Sequence, residues 1–178
     1  MPLLVLPDNT VLVNFANINR MDLLKRLAKH GAWCASVADE CERSARLPGL
    51  KSMAYAYEIF GVPLSPESRS EHILTQAFRT RLARPGEDKY RHLGEAETLA
   101  IMSSRSIDGI FATDDKSVPV IANELKIRVV TTFDLLRAAH RGGMVDADTL
   151  WSYLQTLRQG GRGGPPGLFT RAAFDRWV

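Results

Sequence analysis

Apolar residues in this chain fall in short runs, separated by longer stretches that repeat every three to four positions. Residues 3–7 form one such run, of the length of a buried strand. Residues 11–16 follow directly and fit strand or helix equally well by periodicity. From residue 19 to 30 the repeat is helical, with Met21, Leu24, Leu27 and Ala28 on one side and Lys25, Arg26 and Lys29 around the other; Gly31 is the expected stop. Residues 32–35 read as a second strand, and Ser36 as the N-cap of a helix carrying Asp39, Glu40 and Arg43, broken by Pro48-Gly49. Helices are predicted over residues 53–60, over 65–83 with Pro66 at the first helical position, and over 93–103, 116–125 and 133–140. Residues 110–112 and 128–131 read as strands, and residues 61–64 and 84–88 as loops.

Strands alternating with helices at this spacing predict βαβ units, hence an α/β fold around a parallel sheet. The last part differs in character. Asp146 is placed to cap a helix over residues 147–158, and the glycines and prolines of residues 160–167 make a flexible linker or exposed loop. Thr170 then caps a short helix, residues 171–177, whose Phe174 and Trp177 need burial on the body of the protein or on a partner chain. The expected organisation is a core over residues 1–142 and a helical extension over 143–178.

Composition narrows this picture slightly. A chain of 178 residues with 45% hydrophobic and 24% charged residues is ordinary for one soluble globular domain. A net charge of +3 permits a polyanionic partner without requiring one. Cys34 and Cys41 form no CxxC and have no histidine at zinc-ligand spacing, so they read as packing residues of a reducing compartment. No run reaches transmembrane length and the N-terminus lacks an export signal, so a cytoplasmic protein with no membrane contact is expected.

The candidate chemistry lies in acidic residues at the ends of segments. Asp8 closes the first apolar run, Glu40 follows the second, Glu95 stands in Gly94-Glu95-Ala96-Glu97, and Asp114-Asp115 follows the strand at 110–112. In a parallel α/β sheet the carboxyl ends of neighbouring strands converge on one crevice. Carboxylates delivered there repel one another unless a cation neutralises them, so the set predicts an oxygen-ligand site for Mg²⁺ or Mn²⁺. Such a cation can stabilise phosphoryl charge, activate a water and assist the leaving oxygen in phosphodiester hydrolysis. No acidic or nucleophilic motif surrounds His30, His72, His92 or His140, and no catalytic part is expected of them. A Gly-rich phosphate loop is missing from the sequence. An aspartyl-nucleophile phosphohydrolase would need a second Asp at position 10, where Thr10 stands.

Taken together, these segments resemble the PIN-domain family of metal-dependent nucleases. The resemblance rests on Asp8 at the end of the first strand, Glu40, the run Leu93-Gly94-Glu95-Ala96-Glu97-Thr98-Leu99-Ala100-Ile101, and Ala112-Thr113-Asp114-Asp115-Lys116 followed by Val129-Val130-Thr131-Thr132. It covers roughly residues 3–142 and looks most like bacterial members, many of them toxins of toxin–antitoxin pairs. It implies a three-layer α/β/α fold with a central parallel sheet, Mg²⁺ or Mn²⁺ as cofactor, and RNA as substrate, with an antitoxin and a second copy of the chain as possible partners. Asp8, Glu40, Glu95 and Asp115 fall on the family's metal-site carboxylates, with Asp114 as a neighbour that can replace or assist Asp115. Thr10 and Thr113 fall where hydroxyls often support those ligands.

Some readings stay open. Glu95 and Glu97, two apart on a helix, cannot both face the site; the apolar positions around them do not choose, and the family register favours Glu95. Taken singly, Glu95 and Asp115 also fit ordinary helix-end charges. Arginines such as Arg79, Arg81, Arg158 and Arg162 fit a phosphate-gripping rim or plain solvated helix faces. Trp33 and Phe15 are expected in the core.

Overall fold

The computed structural model describes residues 4–88 and 90–178. The first predicted strand is β1 (Leu4–Pro7); residue 3 of that prediction lies outside the described residues. β1 pairs in parallel with β2 (Gly109–Ala112), and β2 with β3 (Arg128–Val130), in the order β1-β2-β3. Val5 and Leu6 point to opposite faces of β1 and both are buried, as are Phe111 and Ala112 on β2. A sheet buried on both faces is covered by helices on both sides, which is the predicted three-layer α/β arrangement.

The pairing continues past the strand ends. The Asp8 N–H donates to the Ala112 carbonyl at 2.8 Å, and the Thr113 N–H to the Val130 carbonyl at 2.9 Å. Asp8 and Thr113 are thereby set side by side at the carboxyl edge of the sheet.

Residues 11–16, ambiguous by pattern, are helical within α1 (Asn9–Asn17), because Asp8 caps the helix and Val11, Leu12, Phe15 and Ala16 bury one stripe of it. α2 (Met21–Leu27) ends before the predicted residue 30. Gly31 serves a different end: a Cβ there would lie 2.5 Å from the Phe60 ring. The strand expected at residues 32–35 is not formed. Ala32 gives one hydrogen bond to the Val5 carbonyl (3.1 Å), Cys34 makes an isolated bridge to Leu64, and α3 (Ala35–Ala45) then begins. Its N-cap is Cys34, and Ser36 lies inside the first turn.

A 3-10 turn over Lys51–Tyr55 leads into α4 (Ala56–Phe60). α5 (Arg69–Leu82) starts later than the Ser65-Pro66 signal suggested, because Ser68 and Glu71 form a reciprocal capping box. The remaining helices are α6 (Leu93–Ser104), α7 (Val118–Glu124), α8 (Thr132–Arg141), α9 (Ala147–Gln159) and α10 (Arg171–Trp177). Asp146 and Thr170 cap α9 and α10 as the sequence suggested.

Leu150, Leu154, Leu157, Leu168 and Phe174 are buried in the same hydrophobic cluster as Leu12, Phe15 and Leu136. The Phe174 ring centroid lies 5.2 Å from that of Trp151, and the Arg137 guanidinium 5.1 Å from the Trp177 ring centre. The terminal aromatics therefore dock on their own chain. The glycine-rich segment is an exposed loop held at Arg162, whose Nε donates to Asn14 Oδ1 at 2.7 Å. Trp33 and Phe15 are fully buried, and Cys34 and Cys41 are buried free thiols. No helix among the described residues is long and apolar enough to cross a membrane.

Candidate metal centre

Asp8 is only 1% exposed. As N-cap of α1 its Oδ2 accepts from the Thr10 hydroxyl at 2.7 Å and the Thr10 N–H at 3.2 Å, which fixes the carboxylate at the sheet edge. Burial raises its pKa against those hydrogen bonds, and the charge of Asp115 adds to the rise.

Glu40 comes from the middle of α3 and Glu95 from the first turn of α6. The two helices meet closely because residue 94 is glycine: a Cβ there would stand 3.0 Å from Val37 Cγ2 and 3.3 Å from Glu40 Oε1. Burial, then the charge of Asp8, pushes Glu40 up to about 7, with Arg43 opposing. Glu95 is pushed up to about 9 by burial first, then by Asp8, Glu40 and Asp115.

Asp115 follows β2. Burial works to raise its pKa but is outweighed, and the group lies below the ordinary range. Its Oδ1 accepts from the Ser117 N–H (2.8 Å) and hydroxyl (2.7 Å), while His92 and Glu95 stabilise its charge from the other side. Asp8, Glu40, Glu95 and Asp115, delivered by two strand ends and two helices, are thus close enough to act on one another's charge.

Asp114 is directed elsewhere. Its Oδ1 accepts from the Thr132 N–H at 2.9 Å, and its Oδ2 from Asn14 Nδ2 at 2.8 Å and the Thr132 hydroxyl at 2.5 Å. Both oxygens are spent on tying the end of β2 to the middle of α1 and the start of α8. Glu97 is likewise committed: its oxygens accept from the Ser36 N–H (2.9 Å) and hydroxyl (2.8 Å), holding the first turn of α3. Asp39 is exposed. Thr10 bonds Asp8, and Thr113 Oγ1 accepts from the Asp115 N–H at 3.1 Å, so both hydroxyls support the carboxylates.

Among the arginines, Arg81 pairs with Glu124 (2.7 Å), Arg79 donates to the Asp88 carbonyl (3.2 Å), and Arg158 lies over the Phe169 ring. Arg162 reaches the Thr10 carbonyl at 3.5 Å, two residues from Asp8.

The expectation that no histidine takes part is corrected for His92. Its Nδ1 lies 3.1 Å from Asp115 Oδ2 and 3.6 Å from Glu95 Oε1, and ligand atoms of the three residues fall within 4.8 Å of one another. Sequence reasoning missed it because only part of its surroundings is near it in sequence. Glu95 is one turn ahead, but Asp115 arrives from the loop after β2. The one local signal was a histidine just before Leu93-Gly94-Glu95, where an N-cap oxygen would be usual.

A family model described as a PIN domain matches residues 4–172, and the chain belongs to that family. PIN domains are generally nucleases and typically bind divalent metals. No curated protein and no solved structure matched the chain.

The residues present fit a divalent cation. Buried carboxylates that raise each other's pKa would lose that mutual repulsion on gaining a shared positive charge, and His92 adds a buried nitrogen facing two of them.

Proposed function

We propose that this protein is a metal-dependent endoribonuclease, in which Asp8, Glu40, Glu95 and Asp115 would hold Mg²⁺ or Mn²⁺. The observation that carries this reading is Glu95. Its carboxyl is held at about 9 by burial and by three other carboxylates, an arrangement that weakens the apo protein and makes sense for a cation site. When bound, the cation supplies charge stabilisation for the phosphoryl oxygens and an activated water.

The chain's own residues prepare the site. Thr10 and Ser117 clamp Asp8 and Asp115, so their oxygens are oriented before any ligand arrives. The Asp114–Asn14–Thr132 network fixes the sheet edge beneath them. Glu40 and Glu95 hold protons that are given up when positive charge enters, which makes ligand binding pH-dependent.

RNA as the substrate, a role as the toxin of a toxin–antitoxin pair, a cognate antitoxin and homodimerisation rest on the resemblance of these segments to bacterial PIN-domain toxins, and a cytoplasmic location on the unpaired Cys34 and Cys41. Cleavage of a mixed RNA pool tests the catalytic reading, with wild type and Asp115→Asn compared in Mn²⁺, Mg²⁺ and EDTA. Metal-dependent cleavage, lost in the variant and in EDTA, is expected. RNA binding that persists in EDTA with no cleavage by the wild type would make the protein a binding module instead.

A further inference from the structure

Resting on the carboxylate site above, we propose that His92 is itself a metal ligand, through Nδ1. The site then prefers a first-row transition cation such as Mn²⁺ over Mg²⁺. Mg²⁺ is a hard cation served by carboxylates and retained waters, whereas imidazole suits transition metals.

Three observations carry this. His92 is a poor helix starter placed at a helix start. It stands at the N-cap of α6 in the left-handed region (φ 62), and its side chain accepts no capping hydrogen bond. A non-glycine residue in that conformation carries strain that surrounding structure must hold, a feature concentrated at functional sites.

Second, its side chain is nine-tenths buried, and Nδ1 makes no hydrogen bond among the described residues. Asp115 Oδ2, at 3.1 Å, is near but not aligned for one. Two groups that face a common point without bonding each other are disposed as ligands of a third.

Third, the far nitrogen is held. Nε2 lies 3.3 Å from Glu87 Oε2 and donates to it. Glu87 is in turn fixed by the Arg84 N–H at 2.8 Å and by Arg91 at 3.3 Å. A carboxylate behind a ligating histidine sets the tautomer, leaving the lone pair on the other nitrogen. Here that nitrogen is Nδ1, which faces Glu95 and Asp115.

The test combines calorimetric titration with Mn²⁺ and Mg²⁺ and pulsed EPR of bound Mn²⁺, on the full chain and on His92→Asn, Glu87→Gln and Asp8→Asn. Asparagine tolerates the left-handed backbone, so the variant keeps the fold of the turn. Expected are a directly coordinated ¹⁴N coupling in the wild type that is absent in His92→Asn, and Mn²⁺ affinity lowered at least about tenfold in that variant. Mg²⁺ affinity should change far less, and Glu87→Gln should weaken Mn²⁺ in the same direction. Mn²⁺ bound by the wild type and released by Asp8→Asn, but with no nitrogen coupling and with unchanged affinity in His92→Asn, would overturn the histidine ligand and leave the carboxylate site standing. No Mn²⁺ binding by the wild type would overturn both.

Discussion

Glu95 concentrates the tension in this protein. Its carboxyl, ordinarily near 4.5, titrates in the folded chain at about 9. Between those values the native state binds a proton that the unfolded chain has released, so the contribution of Glu95 to stability is full below 4.5 and is lost as pH rises towards 9. In EDTA, therefore, the melting temperature of the wild type should fall over this window. Glu95→Gln should flatten the decline and raise the melting temperature at pH 8 by at least roughly 2–4 °C, equivalent to about 1 kcal/mol in a chain of this size. Parallel pH curves for the two proteins would show that Glu95 is not strained. Glu97, two residues on, behaves differently: removing its carboxylate in Glu97→Ala leaves the Ser36 donors unpaired and should cost about 1–3 kcal/mol at any neutral pH. The sequence could not separate these two glutamates. α6 is buried all round, so neither lies on a polar face and the apolar pattern has no preferred side.

At the scale of elements, the meeting of α3 with α6 brings Glu40 to Glu95, and Gly94 permits it. Gly94→Ala puts a methyl group 3.0 Å from Val37 and 3.3 Å from the Glu40 carboxylate. It should destabilise the fold by about 1–3 kcal/mol through overpacking and weaken cation affinity as Glu40 is displaced; a titration unchanged from wild type would refute that coupling. On the other flank, Arg105 at the end of α6 grips Glu71 at the start of α5 with bonds of 2.7 and 3.1 Å, and holds that carboxyl down to about 2. A depressed carboxyl contributes stability that is complete above 4.5 and lost as pH falls towards 2. Arg105→Gln should accordingly move the acid-unfolding midpoint to higher pH. Most of these elements were legible from caps and apolar spacing, α8, α9 and α10 to within a residue or so. Those misread share one cause, competition from contacts distant in sequence. Residues 32–35 leave the sheet for Leu64, Gly31 answers to Phe60, and the start of α5 follows the Ser68–Glu71 box rather than Pro66. His92 was invisible for the same reason, since Glu87 is near in sequence but Asp115 is not.

Over the whole molecule, the acidic cluster and the C-terminal helices are joined through one core. Phe174 is fully buried against Trp151, and Arg162 reaches back to Asn14, which holds Asp114. Phe174→Ala should cost about 3–5 kcal/mol, read as a shift of the denaturation midpoint; a change below 1 kcal/mol would detach the tail from the core. The central claim is that carboxylates from two strand ends and two helices meet to hold a divalent cation. Anomalous diffraction from a crystal of the full chain soaked in Mn²⁺ tests it most directly. The account predicts a peak bounded by Asp8, Glu40, Glu95, His92 and Asp115, whereas a fully soaked crystal with no peak among those residues would contradict it.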